Sequence, residues 1–304
     1  MERRGFIKKV GLGGTLLGAS GAMSFSSFAK GKAEPTFNMD FAPHFGMFRN
    51  SAPGGIVDEL KFMADQGFRS LEDNGMLGRS VEDQNLIGKT LESLGMRMGV
   101  FVIDGGENWK TSLTTGKKEH EDLFVETCKK SVEVAKRVGA KWMTVVPGYF
   151  ERNLPMGVQT GNVIEAYKRG AEVLEKEGLV MVMEPLSDNP DLFLRHADQS
   201  YAICKAVDSP ACKILYDVYH MQRNEGNLIA NMERTWEEIA YIQIGDNPGR
   251  KEPTTGEINY SNVFKYIHEK GYKGVMGMEH GNAKPGVEGE KALIEAYRKV
   301  DVIV

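Results

Sequence analysis

The sequence contains few cysteines, and they are far apart. Only Cys128, Cys204 and Cys212 occur in 304 residues, and none of them belongs to a CxxC pair. A disulfide framework or a zinc knuckle needs more cysteines at characteristic spacings, so the sequence gives no sign of either. We expect the three thiols to be buried as ordinary small side chains.

The chain also lacks an excess of charge of either sign. Its 38 Lys and Arg residues against 42 Asp and Glu residues give a net charge of -4. This balance offers no electrostatic footprint for nucleic acid or for an anionic membrane surface. No GxGxxG motif follows the first predicted strand, so the main signal for a dinucleotide-binding sheet is missing as well.

The first 30 residues are predicted to be a twin-arginine-type export signal. Arg3-Arg4-Gly5-Phe6-Ile7-Lys8 resembles the twin-arginine motif, and a weakly apolar run over 10–29 follows it. Small residues favour cleavage near Ala29, and the many Gly and Ser residues argue against a permanent membrane span after processing. A membrane anchor or a disordered basic tail is the alternative. We expect a periplasmic protein with a linker over 31–36 and a folded domain over 37–304.

Eight apolar segments alternate with eight helical segments in that domain. The predicted strands cover 37–42, 68–72, 96–103, 142–146, 179–184, 213–217, 240–243 and 274–279. The predicted helices cover 54–66, 81–94, 117–138, 162–176, 197–207, 227–238, 261–270 and 288–300. Strict alternation predicts a parallel α/β fold, and the number eight favours a closed (β/α)8 TIM barrel over an open doubly wound sheet.

Oxygen-bearing side chains end four successive predicted strands. These are Glu184, Asp217, Gln243 and Glu279, separated by 33, 26 and 36 residues, or about one βα unit each. Because α/β barrels place their chemistry at the carboxyl ends of the strands, we expect the four side chains to converge. Oxygen donors of this kind suit one divalent metal ion, with Mg²⁺ or Mn²⁺ favoured.

The second half of the chain resembles a known family. Met183-Glu184-Pro185-Leu186, the stretch over 216–222 and Tyr241-Ile242-Gln243-Ile244-Gly245-Asp246-Asn247-Pro248-Gly249-Arg250 are similar to the xylose isomerase-like barrels of the hydroxypyruvate isomerase group. The resemblance is dense from about residue 180 to 281 and only architectural before that. It implies that Glu184, Asp217, Gln243 and Glu279 bind a divalent metal ion. It also implies that Glu184 and Glu279 exchange the substrate proton.

Other polar residues near the strand ends are candidates for substrate contacts. The resemblance implies that His220 contacts a substrate hydroxyl group. The guanidinium of Arg250 is suited to bind a substrate carboxylate or hydroxyl pair. His44, after the first strand, is predicted either to line the pocket or to be structural. Asp246 and His280 are expected to support their neighbours rather than bind metal.

These observations predict an aldose–ketose isomerase that acts on a small hydroxy-carbonyl acid or sugar through a cis-enediolate. Conversion of hydroxypyruvate to tartronate semialdehyde is the named case. The alternatives are a ketose or keto-sugar 3-epimerase, a metal-dependent sugar lyase or dehydratase, and a non-catalytic sugar-binding barrel. A nuclease of the same fold is disfavoured because its histidine clusters and basic groove are missing. Association into a homo-oligomer is left open.

Overall fold

Short parallel strands alternate with longer helices along the chain. The structure is a computed structural model that describes residues 36–103 and 112–301. Its strands are β1 (Phe41–Ala42), β2 (Ser70–Leu71), β3 (Arg97–Met98), β4 (Phe101–Val102), β5 (Trp142–Val145), β6 (Val180–Met183), β7 (Cys212–Asp217), β8 (Ile239–Gln243) and β9 (Met276–Gly277). Its α-helices are α1 (Ile56–Asp65), α2 (Val81–Leu94), α3 (Lys118–Val138), α4 (Met156–Leu174), α5 (Ala197–Val207), α6 (Val218–Asn224), α7 (Leu228–Thr235), α8 (Tyr260–Glu269) and α9 (Gly286–Val300).

The strands pair in a ring. Seven of them form one sheet in the order β1-β9-β8-β7-β6-β5-β4, and β2 pairs with β3. All these pairs are parallel. A parallel bridge between His44 and Glu72 joins the ends of β1 and β2, and another between Met98 and Ala140 joins β3 to the start of β5. The ring therefore closes, and the predicted (β/α)8 TIM barrel is confirmed.

The third predicted strand is interrupted. The sequence predicts one strand over 96–103, but the structure divides it into β3 and β4, with Gly99 and Val100 between them. The Tyr241 hydroxyl lies against the chain at this point, where a Cβ added to Gly99 would overlap it. A side chain from across the barrel therefore occupies the space that a residue with a Cβ would need.

Two helices differ from the sequence prediction. Helix α4 begins at Met156, six residues before the predicted start at 162. Gly157 and Gly161 lower the helical propensity of its first turns, which is why the sequence pattern does not reveal them. Helix α6 was not predicted at all, since seven residues are too few to show a helical period. Asp217 caps this helix, because its side chain accepts hydrogen bonds from the backbone N–H groups of Tyr219 and His220.

The core has an inner and an outer layer. The inner layer lies inside the ring and is made by alternate strand residues, namely Ala42, Val100, Val180, Val182, Leu215, Tyr241 and Val275. The outer layer between strands and helices is larger and includes the intervening residues Met181, Met183, Ile214, Tyr216 and Ile242. Because side chains alternate along a strand, the same spacing decides which residues at the strand ends point inwards.

Several predictions concern segments outside the described residues. The export signal over 1–30, its cleavage near Ala29 and nearly all of the 31–36 linker belong to these segments, as does 104–111 after the third strand. Within 36–103 and 112–301, no helix has the length and apolar character needed to cross a membrane.

The close approach of α2 and α3 generates a stability prediction. A Cβ added to Gly88 in α2 would overlap the backbone carbonyl oxygen of Arg137 in α3, whereas one added to Gly161 in α4 meets nothing. We expect Gly88→Ala to lower the free energy of unfolding by roughly 1–3 kcal/mol through overpacking. The matched Gly161→Ala should raise it by about 0.5–1 kcal/mol through helix propensity.

Denaturant-induced unfolding followed by circular dichroism measures both variants. A Gly88→Ala protein as stable as the Gly161→Ala protein would contradict the backbone contact between α2 and α3.

Candidate active site

Strand alternation places the predicted oxygen donors on the inner face of the barrel. Glu184 follows inner-layer Val182 by two residues, and Asp217 follows Leu215 in the same way. Gln243 follows Tyr241, and Glu279 continues the series that begins at Val275. Residues two apart on a strand share a face, so all four donors point towards the barrel axis beyond the inner layer. The pairings of Asp217 with Gln243 and of Gln243 with Gly277 bring three of these strand ends side by side.

A cavity opens at this end of the barrel. It has a volume of about 1020 Å³, and its walls include Glu184, His220, Arg250 and Glu279. It extends from there between α2 and α3. Asp217 and Gln243 are more deeply buried, at 0% and 1% exposed. The structure therefore brings together all four predicted metal ligands and two of the three predicted substrate-binding residues.

Asp217 uses its two oxygens for different purposes. Its Oδ1 accepts hydrogen bonds from the backbone N–H of Tyr219 at 2.7 Å and of His220 at 3.3 Å, which caps α6. Its Oδ2 faces the site instead, 3.3 Å from Arg250 Nη2. The cap fixes the carboxylate plane, so the free oxygen is held in one orientation.

Both ring nitrogens of His220 face hydrogen-bond donors. The backbone N–H of Ser187 donates to Nδ1 at 3.1 Å, and Nε2 lies 3.1 Å from Arg250 Nη2, which can only donate. Burial lowers the pKa of His220, which keeps the ring neutral. Its Nε2 lies 3.6 Å from Glu184 Oε1 and 3.5 Å from Asp217 Oδ2. Glu184, Asp217 and His220 are close enough to hold a metal ion together.

Arg250 brings positive charge to the carboxylates. Its Nη2 lies 3.1 Å from Glu279 Oε2 and 3.3 Å from Asp217 Oδ2. Its Nε donates to the Glu279 carbonyl at 3.2 Å, and the guanidinium lies over the Tyr219 ring, 5.0 Å from the centroid. The residue has φ of 48°, an uncommon conformation for a side chain of this size. Its backbone N–H donates to Asp246 O, which holds the turn.

Glu184 and Glu279 are unusually reluctant to ionise. Burial, followed by the charge of Glu279, raises the pKa of Glu184 well above its usual value. Burial also raises the pKa of Glu279 to about 7, while Arg250 opposes that shift. Asn74 Nδ2 donates to Glu279 Oε1 at 3.0 Å, so only Oε2 remains for the cavity. Two carboxyl groups able to carry protons near neutral pH therefore face one space.

Three buried oxygens of the predicted metal ligands have no hydrogen-bond partner among the residues that the structure describes. They are Glu184 Oε1, Gln243 Oε1 and Glu279 Oε2; the last is paired with Arg250 by charge but lacks hydrogen-bond geometry. A buried oxygen without a partner costs free energy. Together with Asp217 Oδ2 they are the donor set that an oxygen-preferring divalent cation requires, so the residues present fit such a cation.

His44 is not brought to this cavity. Its Nδ1 contacts the carbonyl of Phe45 at 2.9 Å, and its Nε2 contacts the carbonyl of His280 at 3.1 Å. It lines a separate depression with Lys251 instead. The structural alternative given for His44 is therefore the one that its contacts match.

Asp246 and His280 support the site from outside. Both Asp246 oxygens accept backbone N–H groups of the following loop, those of Asn247, Gly256 and Ile258. His280 hydrogen bonds the Tyr297 hydroxyl at 2.7 Å, and burial lowers its pKa to about 3. Neither side chain reaches the unpartnered oxygens, as the sequence predicts.

Three site residues were not among the candidates from sequence. Glu72 accepts a hydrogen bond from Gln243 Nε2, Asn74 holds Glu279, and Asp188 Oδ2 lies 3.7 Å from His220 Nε2. Glu72 ends the second predicted strand, so the criterion that selected Glu184 could have found it. Asn74 lies two residues further along the chain. Asp188 lies in the loop between β6 and α5, where no hydrophobic periodicity indicates which way a side chain points.

The comparisons with known proteins agree with this geometry. The family model described as xylose isomerase-like TIM barrel matches residues 60–300. The chain is 32% identical over 182 residues to a hydroxypyruvate isomerase of Escherichia coli K12, covering 59% of this chain and 69% of that protein. It is 30% identical over 159 residues to a 2-oxo-tetronate isomerase of Cupriavidus necator, covering 52% of this chain and 61% of that protein.

A solved structure shares the fold. The 3-keto-D-glucoside 4-epimerase of E. coli superposes with a TM-score of 0.72 at 19% identity, covering 86% of this chain and 99% of that one. The sequence relatives confirm the prediction of an isomerase. Since the family model spans most of the chain, this protein belongs to the xylose isomerase-like TIM barrel family.

Proposed function

We propose that the protein isomerises a small hydroxy-carbonyl acid or sugar through a cis-enediolate. Hydroxypyruvate, which would become tartronate semialdehyde, is the first candidate substrate. The observation that carries the proposal is the pair Glu184 and Glu279, two carboxyl groups with raised pKa values on one cavity. Such groups suit proton transfer at neutral pH.

The proton moves between neighbouring carbons. One of the two carboxylates, at Glu184 Oε1 or Glu279 Oε2, takes the proton from the carbon that carries the substrate hydroxyl group. The other returns a proton to the former carbonyl carbon, and the hydroxyl proton passes from the hydroxyl oxygen to the former carbonyl oxygen. The two carbons thereby exchange oxidation level, and the atoms balance. Asn74 keeps Glu279 Oε2 available by holding Oε1.

Two further side chains bind the substrate oxygens in this proposal. His220 contacts a substrate hydroxyl group through Nε2, because its other ring nitrogen accepts from the backbone N–H of Ser187. Arg250 binds the substrate carboxylate, or a pair of hydroxyl groups, with its guanidinium. Both side chains lie near Asp217 Oδ2, with Arg250 Nη2 at 3.3 Å and His220 Nε2 at 3.5 Å.

Glu184, Asp217, Gln243 and Glu279 would hold a divalent cation, with Mg²⁺ or Mn²⁺ favoured by the all-oxygen donor set. When bound, such an ion supplies positive charge that stabilises the oxyanion formed on removal of the C–H proton.

The sequence relatives support a 2-oxo acid as substrate. The names of both describe isomerases of such acids with a hydroxyl group on the next carbon. A second candidate is epimerisation of a keto-sugar by the same two glutamates. The cavity of about 1020 Å³ that the described residues enclose has room for such a sugar, and part of that volume lies between α2 and α3. The two reactions differ in where the proton returns.

Solvent deuterium exchange tests the mechanism. Residues 31–304 with Mg²⁺ or Mn²⁺ would be mixed with hydroxypyruvate and a panel of ketoses, and deuterium incorporation followed by NMR. Glu279→Gln should slow incorporation by about 10²- to 10⁴-fold, because the general base is lost. Glu257→Gln, on an exposed loop where Glu257 contacts Gln222 and Asn247, is the matched control and should exchange normally.

Unchanged exchange in Glu279→Gln would remove that residue from the mechanism. Bound metal without exchange for any substrate would favour the sugar lyase or the sugar-binding barrel. Exchange with ketoses and not with hydroxypyruvate would favour the epimerase.

Metal binding should depend on pH. Because the pKa of Glu279 is about 7 before metal binds, protons compete with the cation below that pH. We expect the affinity for Mn²⁺ to fall about tenfold or more for each pH unit below 7, and to level off above it. Calorimetric titrations between pH 5.5 and 8.5 measure this dependence. An affinity that is constant between pH 5.5 and 7 would contradict it.

We also propose that the chain is exported through the twin-arginine route, as residues 1–30 suggest. That route recognises the arginine pair itself. Replacing Arg3 and Arg4 by Lys should therefore leave unprocessed protein in the cytoplasm, whereas replacing Lys8 and Lys9 by Arg should not. Cell fractionation and intact-mass measurement distinguish the results, and normal processing of the Arg3→Lys, Arg4→Lys protein would refute the proposal.

A further inference from the structure

Glu72 is a buried carboxyl group that the reaction itself does not use. It lies at the end of β2 and is 2% exposed. Gln243 Nε2 donates to its Oε1 at 2.8 Å, and the Tyr241 hydroxyl donates to its Oε2 at 2.9 Å. Both partners come from β8, across the inside of the barrel, and the hydrogen bond from the Gln243 amide links Glu72 to the site.

The barrel interior is shaped around this carboxyl group. A Cβ added to Gly277 in β9 would overlap Glu72 Oε2, and one added to Gly99 would overlap the Tyr241 hydroxyl. Glycine thus occupies two positions, one in β9 and one between β3 and β4, where a side chain would take the space of Glu72 and its partner Tyr241. The arrangement is a built pocket for one side chain rather than a chance contact.

The hydrogen bond decides which way the Gln243 amide points. An amide has a donor end and an acceptor end of nearly equal size, and either can face a given neighbour. Glu72 Oε1 accepts, so the NH₂ group of Gln243 faces Glu72. Its Oε1 then faces the catalytic carboxylates, where it is buried without a partner. A proton on Glu72 Oε2 would be donated to Tyr241, and Oε1 would still accept.

We propose that Glu72 is a positioning residue that fixes the Gln243 amide with its oxygen towards the cation site. This inference rests on the cation site of the proposed function, but not on its substrate. Without Glu72, the amide can rotate by half a turn and present its NH₂ group to the cation, which no cation accepts as a ligand.

Three variants separate orientation from charge. Glu72→Gln replaces the carboxyl group by an amide and offers an NH₂ group to Gln243. In that variant, the Tyr241 hydroxyl still requires an acceptor, so the new amide nitrogen faces Gln243 and favours the wrong orientation. Glu72→Asp keeps a carboxyl group, but its side chain is one methylene too short to reach the Gln243 amide. In the exchanged pair, Glu72→Gln with Gln243→Glu, the amide at position 72 donates to the carboxylate at position 243. Either oxygen of that carboxylate can then bind a cation.

Manganese binding without substrate is the measurement. Free Mn²⁺ is followed by electron paramagnetic resonance, and the melting temperature of each metal-free variant reports on folding. We expect both single Glu72 variants to bind Mn²⁺ about ten- to a hundredfold more weakly than the unaltered protein. The exchanged pair should bind within about tenfold of the unaltered protein, an effect that a merely structural role would not produce.

Several results would overturn the proposal. If Glu72→Gln and Glu72→Asp bind Mn²⁺ as tightly as the unaltered protein, Glu72 does not orient the amide. If only Glu72→Gln is weakened, charge is responsible. If the exchanged pair binds no better than Glu72→Gln, orientation is not the cause. If the unaltered protein binds no Mn²⁺, the cation site of the proposed function fails and this inference fails with it.

Discussion

The repulsion among buried carboxylates at one end of the barrel is the constraint on which the site depends. Glu184, Asp217 and Glu279 converge where water is scarce, so their charges are poorly screened. Two features reduce this repulsion. Both glutamates have raised pKa values and therefore retain protons more readily, and Arg250 contacts Asp217 and Glu279. A bound divalent cation would reduce the same repulsion further. A site that attracts protons, a guanidinium and a metal ion for one reason is suited to moving protons.

The loop after β8 is organised to deliver one of these positive charges. Asp246 is fully buried and uses both oxygens to accept backbone N–H groups of that loop. The loop in turn holds Arg250 at a positive φ, and Tyr219 provides a ring for its guanidinium. A residue in that conformation stores backbone strain unless its surroundings compensate. The buried hydrogen bonds of Asp246 thus hold the arginine against the carboxylates without any direct contact between Asp246 and the substrate cavity.

Sequence reasoning found what depends on strand alternation. The barrel, most helix bounds and the convergence of Glu184, Asp217, Gln243 and Glu279 follow from a period of two and from regular βα spacing. What it missed depends on contacts between distant strands. No residue near Glu72 in the sequence indicates that its side chain contacts Gln243, which is 171 residues away. The adjacent Asp73-Asn74-Gly75 indicates only a turn. His44 shows the same limit: its place after a strand left a pocket-lining and a structural role open, and only its contacts with the carbonyls of Phe45 and His280 distinguish them. The local sequence pattern shows on which face of a strand a side chain lies, but not which distant residues it contacts.

The glutamine among the predicted ligands has a physical consequence for the acid–base pair. A carboxylate at position 243 would add one more negative charge beside Glu184 and Glu279, and would raise the pKa of both further. An amide oxygen binds a cation without that charge, so the pKa of Glu279 can stay near neutrality, where a group both takes and returns protons efficiently. The amide, however, has two unlike ends, and a carboxylate does not. A neutral ligand at this position therefore needs a neighbour that distinguishes its ends, and Glu72, in the space left by Gly277, is the group in contact with it.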